Sequence, residues 1–354
     1  MSNNRTVAVA MSGGVDSSVT AALLVEQGED VIGVMMNLWS DADRPNRCCS
    51  PEAMSIARRV AAQLGIPFYA LDARQPFRKH VVDTFIEGYA QGITPNPCIA
   101  CNRYIRWGFL LQQTRAMGAT HLSTGHYARI IQNDGHFHLL RGIDRIKDQS
   151  YVLSILTQDH LAHTILPLGE YKKSDVRELA RQYQLPVADR EESQDLCFVG
   201  DEGYYRFIYD RVSHLLPGGP IFHIDGSNLG EHRGLAGYTI GQRKGIGVSF
   251  QYPLYVVEKD VSRNALVVGP LESLGRRTFT VDRVNWILGS APQEPIQVCT
   301  QVRYKAREVE STLHALDNGN AKVVLSEPVP DITPGQLAVF YIDDECIGGG
   351  IILP

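Results

Sequence analysis

At 354 residues the chain has room for two or three domains with cores of their own. Hydrophobic residues at 44% and charged residues at 21% are ordinary for a soluble globular protein, and a formal charge of −5 excludes a simple cationic nucleic-acid binder. Any nucleic-acid contact therefore has to come from local basic patches and should weaken steeply with salt. No apolar run is long enough to span a membrane, and the opening Met1-Ser-Asn-Asn-Arg5 lacks the apolar core of a signal peptide. Seven unevenly spaced cysteines argue for catalytic or metal-binding thiols before structural disulfides, so a cytoplasmic protein is expected.

The chain begins with a strand, Thr6 to Val9, and a helix running to Glu26. Between them lies Ala10-Met11-Ser12-Gly13-Gly14-Val15-Asp16-Ser17-Ser18. A strand, a glycine turn and a helix N-terminus make an anion site, because free backbone N–H groups and the helix dipole converge on one spot. Gly13 and Gly14 let the backbone approach a phosphate, and Ser12, Ser17 and Ser18 offer hydroxyl donors. No Gly-Lys-Ser/Thr follows, so this is not the common P-loop and suits a pyrophosphate better than γ-phosphoryl transfer. The segment resembles the Ser-Gly-Gly-x-Asp-Ser signature of the ATP-pyrophosphatase (PP-loop) superfamily, whose members activate a substrate oxygen as an AMP ester and release pyrophosphate.

Further strands are predicted at Asp30 to Met36 and Pro67 to Asp72, with helices at Pro51 to Leu64 and Phe77 to Tyr89. Adjacent Cys48 and Cys49 are loop thiols without an assigned role. This alternation predicts an α/β fold, an open parallel sheet with helices on both faces and ligands beyond the strands' carboxyl ends. Gly92 to Asn102 breaks the pattern: two prolines stiffen a loop, and Cys98-x-x-Cys101 opens a helix through Trp107 and Leu110. Thr120 to His126 reads as strand and turn, Asp134-Gly135 as a hairpin turn, and Asp175 to Gln184 as a helix just after Lys172 and Lys173. Beyond about residue 205 the runs become short and β-like, and from about Arg276 onward they suggest a small β-barrel. The expected domains are 1–205 (catalytic), 206–275 (a small mixed central domain) and 276–354 (a β-barrel). Cys299 and Cys346 sit among β-like runs and read as core.

Cys98 and Cys101 lie at a helix entrance, where the dipole lowers a thiol pKa and exposes a thiolate. A CxxC pair alone reads as half a zinc site or a redox pair, but no second CxxC completes four ligands. Cys197 alone would ordinarily be a small buried hydrophobe. A longer pattern changes the weighting. Ser12 to Ser18, Thr94-Pro-Asn-Pro97 with Cys101-Asn102, Ser123-Thr-Gly-His-Tyr127, Lys147-Asp-Gln-Ser-Tyr151, Pro167-Leu-Gly169, Cys197-Phe198, Tyr238 to Gly245 and Gly348-Gly-Gly350 occur in one order across nearly the whole chain. Together they are similar to the tRNA-specific 2-thiouridylase family.

The resemblance implies an enzyme that uses ATP and Mg2+ to adenylate the C2 oxygen of the wobble uridine of tRNA, after which sulfur displaces AMP. It implies that Ala10, Met11, Ser12, Gly13, Gly14, Val15, Asp16 and Ser17 surround the phosphates, with Asp16 near Mg2+ and Met36 and Gly125 flanking adenosine. Asn96, Pro97 and Cys98 would meet the target base; His126, Lys147, Asp148, Gln149, Arg303, Tyr304 and Gln336 would touch tRNA. Taken singly, His126 reads equally as a satisfied strand-end histidine, Lys147 as a solvated lysine, and Arg303 and Tyr304 as barrel surface. The basic, glycine-rich Tyr238 to Gly245 suits a loop laid on a phosphate backbone, or a solvated hairpin.

For sulfur, the resemblance implies that Cys197 carries a persulfide from a donor protein and that Cys101 resolves it through a transient disulfide. Many family members have aspartate at the position of Cys98, a suggested acid/base helper. With a thiol there, Cys98, Cys101 and Cys197 also resemble the three-cysteine set of tRNA thiolases that hold a [4Fe–4S] cluster and take inorganic sulfide. Both routes stand at this stage. Two other readings are an amide-forming PP-loop synthetase, which needs no Cys101 with Cys197, and a non-catalytic RNA-binding protein with a nucleotide fold. A monomer acting on one tRNA is expected.

Overall fold

The computed structural model describes residues 5–39, 50–190, 196–199, 203–212, 217–330 and 332–354; Cys48 and Cys49 lie outside them. The first unit is built on strands β1 (Thr6–Ala10), β2 (Asp30–Asn37), β3 (Phe68–Asp72), β4 (His121–Ser123) and β7 (Thr164–Ile165). They form one parallel sheet in the order β3-β2-β1-β4-β7. Around it lie α1 (Val15–Glu26), α2 (Pro51–Leu64), α3 (Arg74–Phe77), α4 (Thr84–Ala90), α5 (Pro97–Ala100), α6 (Leu111–Ala116), α7 (Ser150–Leu153), α8 (Gln158–Ala162) and α9 (Lys173–Gln182). The chain passes from β1 to β2 on one side and reaches β4 on the other. That reversal opens a crevice at the carboxyl ends of β1 and β4.

Local chemistry sets these boundaries. Ser50 caps α2 by accepting from the Ala53 N–H, Pro51 takes its first turn, and Gly65 ends it at φ +69°. The helix predicted over Phe77 to Tyr89 is less regular. A π-helical turn at Arg78–Asp83 joins α3 to α4, and another at Cys101–Leu110 joins α5 to α6.

Helix α10 (Gly203–Val212) stands where the sequence reads as a change toward β structure; its Phe207 and Ile208 are buried in an apolar cluster with Phe85 of α4. The central unit pairs β8 (Gly219–His223), β9 (Asn228–His232), β10 (Tyr255–Asp260) and β11 (Ala265–Gly269) in the order β10-β11-β8-β9. Between them, Tyr238 to Gly245 forms turns rather than a hairpin. Gln242 accepts from the Thr239 N–H and donates to the Lys244 carbonyl.

The last unit is a closed antiparallel barrel of β12 (Arg276–Trp286), β13 (Ile296–Gln301), β14 (Val309–Ala315), β15 (Ala321–Val329), β16 (Leu337–Ile342) and β17 (Glu345–Ile352), with β12 meeting β17 to close the ring. A hairpin of the first unit, β5 (Ala128–Asn133) and β6 (His136–Arg141), turns at Asp134-Gly135 with both φ positive and joins this sheet. Leu139 and Leu140 of β6 pair with Cys346 and Glu345 of β17. One apolar cluster accordingly runs from Val34 and Trp107 through Tyr151 to Leu337, Val339 and Tyr341. The barrel is packed into the first unit's core. Cys346 is fully buried and Cys299 half-buried, with burial pushing both thiols up, as core cysteines should be.

Candidate functional site

The Ser12–Ser17 turn is shaped for an anion. Gly13 sits at φ +71°, and a Cβ there would lie 2.5 Å from the Ala53 carbonyl oxygen, so no larger residue fits. Met11 N–H donates to the Val34 carbonyl, tying the turn to β2. Gly14 caps α1 without a side-chain bond, which leaves the first amides of a twelve-residue helix facing the crevice. The hydroxyls divide. Ser17 Oγ accepts from Ser12 N–H at 3.1 Å, while Ser18 is fully buried and its hydroxyl donates to the Gly14 carbonyl at 2.8 Å. Ser18 is therefore not a ligand donor; Ser12, on the exposed side, is the accessible hydroxyl. Gly125 follows β4 and packs against the same turn, since a Cβ on it would meet Asp16 and Ser17 at 2.9–3.0 Å. Ala10 and Val15 flank the turn, and Met36 lies half-buried at the end of β2.

Asp16 is the hub of a network that the local sequence does not announce. Tyr127 O–H donates to its Oδ1 at 2.8 Å and Lys173 Nζ donates to the same oxygen at 2.6 Å, from 157 residues downstream. Arg190 donates to the Gly13 carbonyl at 2.9 Å. The turn has no lysine of its own, and a lysine at the start of α9 pairs with its aspartate. Pattern reading placed Lys173 only as a residue ahead of a helix, because nothing in sequence spacing links it to Asp16.

The second part of the site is the Asn96–Asn102 segment. Asn96 caps α5 by accepting from the Cys98 N–H at 3.0 Å. The α5 helix is a single turn leading into the π-helical stretch, and its two cysteines have different surroundings. Cys98 is exposed; Cys101 is buried, contrary to the expected exposed thiolate, because it faces inward at the joint between α5 and the π turn. Cys101 shares an apolar cluster with Leu38, Phe77, Phe85 and Phe198, and Met36 and Cys197 pack against that cluster. Two cysteines nearly a hundred positions apart thus border one apolar cluster, which also takes in Leu38 just past β2. Cys197 is half-buried in a short turn, 196–199, rather than at a strand edge. Among the described residues no three His, Cys, Asp or Glu side chains are grouped to hold a metal ion. Cys98, Cys101 and Cys197 as arranged do not fit a cluster.

The remaining sequence-predicted contacts fall into two groups. Arg303 and Tyr304 reach in from the barrel: the Tyr304 ring lies 5.9 Å from that of Tyr151, and burial, then the negative charges of Asp148 and Cys98, push its phenol up. Arg303 is exposed and Lys147 half-buried. Asp148 and Gln149 make hydrogen bonds that brace this segment. Asp148 accepts from Gly142 N–H, Ser150 N–H and Ser150 O–H, and Gln149 Oε1 accepts from Tyr127 N–H. Asn102 donates to the Val152 carbonyl at 3.0 Å, tying the cysteine helix to this segment. Pro97 is buried at the start of α5, and Gln336 donates to the Thr94 carbonyl at 2.7 Å.

His126 is buried with its Nδ1 2.6 Å from Thr124 Oγ1 and its ring 5.6 Å from Trp107. Burial, then the nearby Arg106 charge, hold its pKa well below 6.5. An unfolded histidine binds its proton near 6.5, so below that pH the unfolded state holds more protons and stability falls as pH falls. The thermal midpoint is expected to drop between about pH 7 and about pH 5.5, and His126→Gln to reduce that drop measurably in paired melts.

Comparison with known proteins covers the same ground. Residues 5–201 match the family described as tRNA methyl transferase HUP domain, 206–270 its PRC-barrel domain, and 276–352 the aminomethyltransferase beta-barrel domain. The tRNA-specific 2-thiouridylase MnmA of Chloroflexus aggregans is 47% identical over 350 residues, 98% of each chain. The proteins of that name from Moorella thermoacetica and Natranaerobius thermophilus are 48% identical (97% of this chain, 98% of theirs) and 45% identical (100% and 98%).

Proposed function

The chain belongs to the tRNA-specific 2-thiouridylase family and is a tRNA sulfurtransferase; from that premise we propose that it converts the wobble uridine of tRNA to 2-thiouridine through an adenylated intermediate. The observation that carries the cysteine chemistry is the apolar cluster joining Cys101, Cys197 and Met36 at the end of the sheet that also bears the glycine turn.

ATP is a substrate. The open amides of α1, the Gly13–Gly14 backbone and Lys173 bind and orient its phosphates, and Met36 and Gly125 border the adenosine. Asp16 would hold Mg2+, which would neutralise phosphate charge. The uridine C2 oxygen attacks the α-phosphorus and pyrophosphate leaves. A Cys197 persulfide then attacks C2 and AMP departs with the C–O electrons. Cys101 thiolate attacks Cys197 Sγ, the S–S bond to the transferred sulfur breaks, and the thiocarbonyl forms. The resulting Cys101–Cys197 disulfide is reduced by an external dithiol. The half-buried setting of Cys197 admits a donor, while burial keeps Cys101 from bulk oxidants. Asn96, Pro97 and Cys98 receive the base; Arg303 and Tyr304, from the barrel, bring tRNA to Cys98.

In this reading residues 1–205 perform the chemistry, and 206–275 with 276–354 hold tRNA. The protein acts as a cytoplasmic monomer; no helix among the described residues is long and apolar enough to cross a membrane. The test combines the full chain, ATP, Mg2+, a uridine-34 tRNA and a persulfide-loaded donor. The expected result is tRNA-dependent release of AMP and pyrophosphate with 2-thiouridine found by mass spectrometry of nucleosides. ATP turnover that ignores tRNA would sink the assignment.

A further inference from the structure

We propose that the barrel turn Thr333–Gln336 sets the position of the loop that presents the target base, with Gly335 and Gln336 as positioning residues. The inference rests on the reading of Asn96 to Cys98 as that loop. Between the end of α4 at Ala90 and the start of α5 at Pro97, the chain has little means of fixing itself. Pro95 and Pro97 lack N–H groups, and the N–H groups of Gly92 and Ile93 turn back to the Tyr89 and Gly88 carbonyls at 3.1 and 3.0 Å. Thr94 is held from outside. Its N–H donates to the Pro334 carbonyl at 2.9 Å, and its carbonyl accepts from Gln336 Nε2 at 2.7 Å.

The grip is close as well as bonded. Gly335 sits at φ +90°, and a Cβ there would stand 3.0 Å from the Thr94 nitrogen and carbonyl carbon. The turn is itself locked to the last strand, since Gly335 N–H donates to the Ile352 carbonyl and Ile352 N–H to the Gln336 carbonyl. From the other side, Val261 of the central unit presses on Gly92, where a Cβ would meet it at 2.3 Å. Thr94 is two residues from Asn96 and four from Cys98. A shift of the barrel is therefore delivered directly to the base-presenting residues, without passing through the parallel sheet. The same hydrogen bond means that the Gln336 amide acts on the loop backbone.

The test uses Gln336→Ala and Gln336→Glu in the full chain, the latter keeping shape but losing the donor. Three readouts are taken: single-turnover thiolation at saturating tRNA, tRNA affinity by filter binding, and hydrogen exchange of the peptide covering residues 92–98. The expected result is a fall in single-turnover rate of about tenfold, with tRNA affinity within about twofold and faster exchange at 92–98. Gly335→Ala should speed the same exchange. Weaker tRNA binding with unchanged single-turnover rate and unchanged exchange would overturn the proposal and make Gln336 a direct tRNA contact. Exchange is measured without substrates, so a failure of the thiolation reading leaves this result interpretable: faster exchange would uphold the grip, and unchanged exchange would refute it.

Discussion

Cys197→Ser is expected to lower tRNA thiolation at least about a thousandfold while leaving tRNA-dependent AMP formation within about threefold of the parent chain. The two halves of the reaction use different parts of the molecule. In the proposed reaction, adenylation draws on the glycine turn, Asp16 and its partners, and sulfur transfer on the thiols that border the cluster around Phe198. Serine fills nearly the same volume at the half-buried position, so packing is little disturbed, but it cannot carry a persulfide. Cys101→Ser should behave differently. With the resolving thiol gone, the transferred sulfur stays bonded to both Cys197 and C2 of the base. The variant is expected to accumulate a covalent protein–tRNA adduct that added dithiol releases. Denaturing gels with and without reductant decide the matter. Equal loss of AMP formation in Cys197→Ser would place that cysteine in the adenylation step and break the assignment.

Lys173→Met is expected to cut AMP formation by about a hundredfold to a thousandfold at saturating ATP, the range for removing one preorganised charge from a transition state. The glycine turn has no lysine of its own, and Lys173 is the cation that the fold delivers to it, 2.6 Å from Asp16 and nearly buried. Its partner is equally exposed to the change, because Asp16 keeps only the Tyr127 hydroxyl from that pair. Lys173→Arg should recover part of the rate by retaining charge with altered reach. Rapid-quench measurement of AMP under single-turnover conditions checks this, with melting curves to show that the variants are folded. A Lys173→Met rate close to the parent's would mean that backbone amides alone carry the phosphates.

What could be read in the sequence was mostly local. Strand, double glycine, aspartate and helix lie within twenty residues, so the strand–turn–helix followed from spacing alone. So did the Asp134-Gly135 hairpin, whose positive φ values that dipeptide tolerates. The closed barrel was legible from short alternating strands. Helix α10 was not: Gly203-Tyr-Tyr-Arg-Phe-Ile-Tyr-Asp-Arg-Val212 is rich in aromatic and β-branched residues, and burial of Phe207 and Ile208 beside α4 overrides that preference. Nor could any periodicity reveal Lys173 on Asp16, or Gln336 on Thr94, since each pairing is made only when distant elements dock. The burial of Cys101 escaped for a smaller reason. In a single-turn helix no apolar spacing shows which face turns inward, and Cys101 does so against Phe77, Phe85 and Phe198.

The seam between β6 and β17 bears on how the molecule is made. A ribosome delivers the nucleotide-binding half first, and early domains ordinarily fold as they emerge. Here the β5–β6 hairpin, near residue 140, finds its sheet partner only in β17, about two hundred residues later. Tyr151 likewise waits for Leu337, whose carbonyl its hydroxyl meets at 2.6 Å. Until β16 and β17 are made, the nascent first half carries an unpaired strand edge and an uncovered apolar face. The first unit is therefore completed by strands made about two hundred residues after its own hairpin, so its folding and the barrel's are one event.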